Sequence, residues 1–448
     1  MKRSTTLLLT YLIILVLITI AINGNALVLV NKKESFDGYT LYSPEFSPYV
    51  FLIDNTGCIV HQWNTHHLQG LPVYLLENGS LLRGDAPHVS KDFFLGGVTG
   101  RVSMYHWNGS LLWEFTYANN QHLLHNDIEP LPNGNILMTA WEKINNTNAI
   151  KAGCNPALIG SNDVWSDVII EVEPTFPKGG NIVWEWHTWD HLIQDYDESK
   201  KNYGNISDHP ELIDINFNGT RRAAPNNALD LFHINSVEYI QEFDQILLNA
   251  RNLNEIWIID HTTNTTEAKQ HTGGEYKKGG NLLYRWGNPQ VYDRGTEENR
   301  QLFMQHDARW LSSGNDNNKQ YSITIFNNGY QRPGKDYSSV IEINPPVNPN
   351  GTYLLQKDES YGPKKPVWTY KAPWKPMMYS PFISGAQRLP NNNTLICSGD
   401  NGIFLEVTPD KNIVWMNINL RPLPMINNVF KTQSYQANYP GLQQLQDS

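Results

Sequence analysis

Three histidines stand at comparable places in a recurring pattern: His125 in LLHNDIEPLPNG, His233 in LFHINSVEYI and His306 in FMQHDARWL. Each precedes or opens a short alternating apolar segment. Arg251 closes the segment that follows His233, in ILLNAR. Three imidazoles and a guanidinium suit a small tetrahedral oxyanion. Arginine offers a planar fork of donors, and imidazole gives or takes protons near neutrality. With an unperturbed pKa of about 6.5, imidazole is largely unprotonated at neutral pH and is then a competent nucleophile. A lone histidine beside a strand is more often a satisfied structural residue, so the weight rests on three in register. Three histidines also suit zinc, but the guanidinium of Arg251 would repel a dication, and no metal is expected. His61, His66, His67 and the pair His187 and His191 in HTWDH take structural or surface roles by default.

The elements that must position these residues show in a repeat. A phrase ending in Trp or Tyr, or carrying one near its end, recurs as IVHQW (59–63), LLWEF (111–115), IVWEW (182–186), LLYRW (282–286), PVWTY (366–370) and NIVWM (412–416). A second phrase, strand, polar turn and strand, appears as IEPLPNGNILMTAW (128–141), VEYIQEFDQILLNAR (237–251) and AQRLPNNNTLICS (386–398). Apolar segments such as DVIIEVE (167–173) and NEIWIID (254–260) lie between the two. Each unit therefore reads as four short antiparallel strands, and six units make an all-β, six-bladed propeller over residues 27–448. Two unrelated β-sandwiches would also give many strands, but not the same aromatic phrase at the same place in each. In a propeller the first strand of each blade lines the channel, so the histidines converge near the axis. The long insertions near 143–163, 187–230 and 262–300 are expected on one face, walling a pocket. Trp141, Trp184, Trp186 and Trp286 are expected to pack between blades.

Composition narrows the classes. A formal net charge of −10 argues against nucleic acid, whose phosphates need Lys and Arg. Lys2 and Arg3 precede an apolar run from Leu7 to Ile22, shorter than the about 20 residues of a membrane span. Gly24 and Ala26 supply small residues for cleavage. Residues 1–26 are thus a signal peptide or an uncleaved membrane anchor, and the body is expected outside the cytoplasmic membrane. Cys58, Cys154 and Cys397 allow at most one disulfide. Asn-x-Ser/Thr sequons begin at Asn78, Asn108, Asn145, Asn205, Asn218, Asn264, Asn350 and Asn392, compatible with a glycosylated surface protein. There is no G-x-S-x-G elbow, H-E-x-x-H, C-x-x-C or Walker A loop, so nucleotide-activated donors are not expected.

The same residues resemble the arylsulfotransferase family of nucleotide-independent aryl-sulfate sulfotransferases. The likeness is strongest over 230–310, where DLFHINSVEY, ILLNARNLNEIWIIDHTT, GGNLLYRWGNPQVYDRG and QHDARW follow in the family's order. It extends to WEWHTWDH (184–191), SGAQRLPNNNTLIC (384–397) and VFKTQSYQANYPGL (429–442). The resemblance implies a six-bladed propeller that moves a sulfuryl group from an aryl sulfate donor to a phenolic acceptor, without cofactor. It implies that His306 becomes transiently sulfated and that His233 and Arg251 hold the sulfate. It further implies that His125 completes the site and that Asn235, in HINS, is a polar neighbour. ILLNAR departs from the Ser-rich stretch that often precedes this arginine in the family. A binding propeller that keeps the anion pocket, or a hydrolase in which water takes the sulfuryl group, are the other readings.

Overall fold

The computed structural model describes residues 27–86, 93, 95–219, 222–223, 228–314, 319–422 and 427–446. The expected signal or anchor, 1–26, lies outside them, and no helix among the described residues is long and apolar enough to cross a membrane. Six antiparallel sheets follow one another around an axis. The second blade is Gln69–Leu75, Leu81–Asp85, Arg101–Tyr105 and Leu111–Thr116, in sequence order from axis to rim. The fourth (Ile234–Ile240, Gln245–Ala250, Glu255–Asp260, Tyr284–Trp286) and fifth (His306–Ser313, Gln320–Asn327, Ser339–Ile343, Trp368–Tyr370) repeat that order. The third is built on His122–Pro130, Ile136–Ile144, Val164–Pro174 and Gly180–His187, and the sixth on Gly385–Arg388, Thr394–Ser398, Ile403–Val407 and Ile413–Ile418.

The first blade is completed from a distance. Its inner strand is Gln433–Gln436, near the end of the chain, paired to Gly38–Tyr42. In the opposite sense, Leu27–Asn31 adds a fifth strand to the rim of the sixth blade. Both ends of the described chain thereby close the ring.

The recurring aromatic phrase is the rim strand of every blade, and its indole does more than fill space. The Nε1–H of Trp113 donates to Gly179 O at 2.7 Å, Trp186 to Gly280 O at 2.7 Å and Trp286 to Pro363 O at 2.7 Å. Trp368 donates to Pro409 O and Trp415 to Asn55 O, each at 2.9 Å. Every acceptor lies between the third and fourth strands of the next blade. From the first blade to the second, His61 Nε2 meets Trp107 O at 3.0 Å instead, and Trp63 packs edge-on against Trp107. A large apolar ring with one donor at its edge fills the gap and bonds a carbonyl of the next blade together.

Cys58 is exposed, Cys154 and Cys397 are buried, and all three are free thiols. The insertions after residues 187 and 262 pack on each other beside the third and fourth blades. His191 Nε2 meets Ala268 O at 2.8 Å, and Leu282 N donates to Glu211 O at 3.0 Å.

Candidate active site

At one end of the axis lies a cavity of about 570 Å³ to which all six blades contribute. The fourth blade supplies His233 and Arg251, and the fifth Met304, His306, Tyr330 and Gln331. The third supplies Asn126, and the sixth Pro381, Phe382 and Ile383. Leu71, Gly96 and Gly97 come from the second and Glu45 from the first. The three long insertions wall a separate pocket, lined by Lys151, Trp189, Leu212 and His271 among others, and none of their described residues lines this cavity. Connections at the mouth of each blade form its wall instead.

A repeated backbone device aims these side chains. Leu71, Asn126, His233, Met304 and Ile383 all have φ between 48° and 83°, in the left-handed region. The inner strands beside them shift register, between Gln69 and Val73, between Ile234 and Val237, and between His306 and Ala308. Such irregularities turn a side chain out of the pleat and recur where a site is built. Gly97 is required for this packing: with φ at 107°, a Cβ there would lie 2.6 Å from Asn126 Oδ1.

His306 is 3% exposed. Its Nδ1–H donates to Asn328 Oδ1 at 2.8 Å, with Met304 O at 3.2 Å. Its Nε2 accepts the backbone N–H of Ile383 at 3.2 Å, so the ring is neutral with its lone pair on Nε2. Burial, followed by the charge of Arg251, pushes its pKa down to about 3. Asn328 also donates to the carbonyls of Ser380 and Ile383, tying the ring to the 380–383 turn.

His233 Nδ1–H donates to Asp230 Oδ2 at 2.6 Å, leaving Nε2 as the acceptor. Burial lowers its pKa against the pull of Asp230, and Arg251 and His125 lower it further. Arg251 follows the second strand of its blade, its N–H bonded to His233 O at 3.2 Å, and its Nη1 donates to Asn252 Oδ1 at 3.1 Å. The hairpin thus returns the guanidinium to the mouth where His233 stands, as the strand order suggested.

The other two sequence candidates sit behind the wall. His125 does not line the cavity. It stacks on Trp141 at 4.0 Å, its Nε2–H donates to Asp167 Oδ1 at 2.8 Å, and its Nδ1 accepts Asn126 Nδ2–H at 2.7 Å. The next residue, Asn126, takes the wall position, with Nδ2 3.4 Å from His233 Nε2. Adjacent residues of a strand point oppositely, so the three histidines are out of register by one residue at the third blade. Asn235 is fully buried, and its Nδ2 donates to Gln305 O at 2.9 Å, as does Asn249 Nδ2. The pair clamps the peptide just before His306.

Asn126, Asn328 and Glu45 were not singled out from the sequence. Asn126 was legible as the neighbour of His125, and Asn328 as the counterpart of Arg251, just past a second strand. Nothing marked Glu45, on a turn of the first blade. Burial and then the nearby Asp400 raise its pKa to about 7. Deeper on the axis, Lys431 Nζ bridges Asp127 at 2.9 Å and Asp307 at 3.4 Å, and Arg309 Nε donates to Asp307 at 2.9 Å. Asp307 therefore faces this polar plug rather than the cavity. Among the described residues no group of three His, Cys, Asp or Glu is arranged to hold a metal.

No curated protein sequence matches the chain. Among solved structures, a protein of unknown function from Bacteroides caccae aligns at 11% identity and a TM-score of 0.46, covering 89% of this chain and 98% of that one. A putative 6-phosphogluconolactonase from Bacteroides fragilis aligns at 11% and 0.40, covering 90% and 85%. The periplasmic gluconolactonase of Pseudomonas aeruginosa aligns at 9% and 0.38, covering 90% and 97%. Likeness at this level carries nothing about the reaction. The family model described as Arylsulfotransferase (ASST), however, matches residues 21–437, nearly the whole chain and every blade. With that match laid over a six-bladed ring, the chain belongs to the arylsulfotransferase family, a family of enzymes that act on aryl sulfates.

Proposed function

We propose that this protein transfers a sulfuryl group from an aryl sulfate ester to a phenol through a sulfated His306. The observation that carries the reading is the tautomer of His306. Asn328 holds the Nδ1 proton, and the Nε2 lone pair faces a cavity shared with Arg251 and His233. In the first half-reaction Nε2 attacks sulfur in line with the aryl oxygen. The N–S bond forms as the S–O bond breaks, and the electron pair leaves on the phenolic oxygen. The approach displaces the single contact that Nε2 makes with Ile383 N–H, which then becomes a donor to a sulfate oxygen. Arg251 gathers the anionic oxygens, while His233, its Nε2 an acceptor, orients the Asn126 amide on the wall beside them. In the second half-reaction an acceptor phenol attacks the sulfur and returns the pair to Nε2, which gives ping-pong kinetics.

The apolar part of the cavity wall suits an aryl ring. Leu71, Pro381 and Phe382 are apolar, and Phe382 and Tyr330 stand partly exposed at the mouth. We further propose that the enzyme works outside the cytoplasmic membrane, which the charged and then apolar segment over residues 2–22 supports. The test is release of a chromogenic phenol from its sulfate, with and without an added phenol, followed by mass spectrometry of the peptide carrying His306. Phenol-dependent release and a sulfated His306 are expected. Equal release without acceptor would indicate hydrolysis, and neither release nor sulfation would indicate a binding propeller.

A further inference from the structure

Sulfuryl transfer leaves a phenolate, and an unaided phenolate, whose conjugate acid has a pKa of about 10, is a poor leaving group. The histidines around the cavity are badly placed to help. His306 and His233 carry lone pairs on the nitrogens that face inward, and their Nδ1 protons are committed to Asn328 and Asp230. His125 is behind the wall, bonded to Asp167 and Asn126. Arg251 is a permanent cation and gives up no proton.

In a six-bladed ring the first blade faces the fourth across the axis. The turn between Gly38–Tyr42 and Tyr49–Ile53 therefore brings Glu45 to the wall opposite His233 and Arg251. His306 enters from the fifth blade, so attack in line drives the departing oxygen across the cavity, onto the half of the wall made by the first, second and third blades, which includes Glu45. Among the described residues Glu45 is the one carboxyl on the cavity wall. Its backbone is fixed to the sixth blade by Glu45 N donating to Asn428 O at 2.8 Å. Asp400, from the sixth blade, stands behind it, with Oδ1 accepting from Asn428 Nδ2 at 3.2 Å.

We infer that Glu45 is the proton donor and acceptor of both half-reactions, an inference that rests on the function proposed above. The carboxylic acid gives its proton to the phenolic oxygen as the S–O bond breaks, leaving neutral phenol and the Glu45 carboxylate. The carboxylate then takes the proton of the acceptor phenol as its oxygen attacks sulfur and the pair returns to His306 Nε2. One carboxyl cycles, and no other proton source is needed. Its pKa of about 7 suits both directions, since an acid–base group works best near the operating pH. The first half-reaction then slows as pH rises through about 7, and the second slows as it falls through the same value.

The experiment compares the native enzyme with E45Q and E45D over a series of aryl sulfates of differing phenol acidity. Rapid mixing follows phenol release, and mass spectrometry follows His306 sulfation. In E45Q the rate is expected to depend more steeply on phenol acidity, with losses of about 10²-fold or more on the least acidic phenols. The limb near pH 7 should vanish, and E45D should restore part of it. If E45Q folds poorly, the native enzyme alone decides, since its dependence on phenol acidity should steepen above pH 7. An equal slope and an unchanged pH profile in E45Q, or no steepening in the native enzyme, would overturn the role of Glu45 while His306 is still sulfated. Absence of sulfated His306 in the native enzyme would instead overturn the parent reading.

Discussion

At the scale of single residues, the site is a set of neutral imidazoles held in fixed tautomers. His306→Ala is expected to abolish both half-reactions, read as loss of chromogenic phenol and of the sulfated peptide. Asn328→Ala keeps the imidazole but removes the nearer acceptor of its Nδ1 proton, leaving Met304 O at 3.2 Å, and two bonds to the 380–383 turn. Loss of orienting bonds worth about 1.5–3 kcal/mol corresponds to roughly a 10- to 100-fold fall in turnover. Full activity in that variant would remove Asn328 from the account. Burial and Arg251 hold the His306 pKa near 3, so its imidazole is already neutral throughout the range where free imidazole titrates. As pH falls through about 6.5, His306 sulfation at saturating donor should therefore show no loss of rate, and a decline toward acid pH centred there would contradict the burial and tautomer described.

At the scale of elements, the blades are stitched by the edge of each rim strand. Trp186→Phe keeps most of the apolar surface but deletes the donor to Gly280 O. The expected cost is about 1–3 kcal/mol, because a buried carbonyl is left unmet, and it would be read as a lower unfolding midpoint. A second stitch depends on pH. His261 lies between Glu171 of the third blade at 2.9 Å and Asp244 of the fourth at 2.7 Å. Burial opposes its charge, but the two carboxylates hold its pKa up to about 9. The folded state binds this proton more tightly than the unfolded chain. The stabilisation is thus full below about pH 6.5 and is lost as pH rises through about 9. In His261→Gln the alkaline decline in melting temperature over that window should shrink. A decline equal to that of the native protein would place its cause elsewhere.

At the scale of the molecule, closure of the ring carries stability and function together. Gln433–Gln436 is the inner strand of the first blade, and Lys431 just before it anchors Asp127 and Asp307 beneath the cavity. A chain ending at residue 428 should lose cooperative unfolding. One lacking only Leu27–Asn31, the extra rim strand, should melt a few degrees lower and retain the fold. Equal effects of the two deletions would argue against the inner strand as the closure. All eight sequon asparagines are exposed. Secretion from a glycosylating host should therefore add glycans that endoglycosidase removes, a mass shift readable on a gel.

The amino-acid order by itself determined the blades and marked several of the side chains that the cavity gathers. Alternation of apolar and polar residues defines strands, the repeated aromatic phrase defines their grouping, and His233, Arg251 and His306 stood out by type and place. It did not determine which of two neighbours faces the axis. That choice fell to a left-handed residue and a register shift in the inner strand, which put Asn126 on the wall and turned His125 behind it. Nor did it show that Glu45, separated from His306 by four blades' worth of chain, shares its cavity. Contacts across the axis join residues far apart in sequence, and only closure of the ring brings them together.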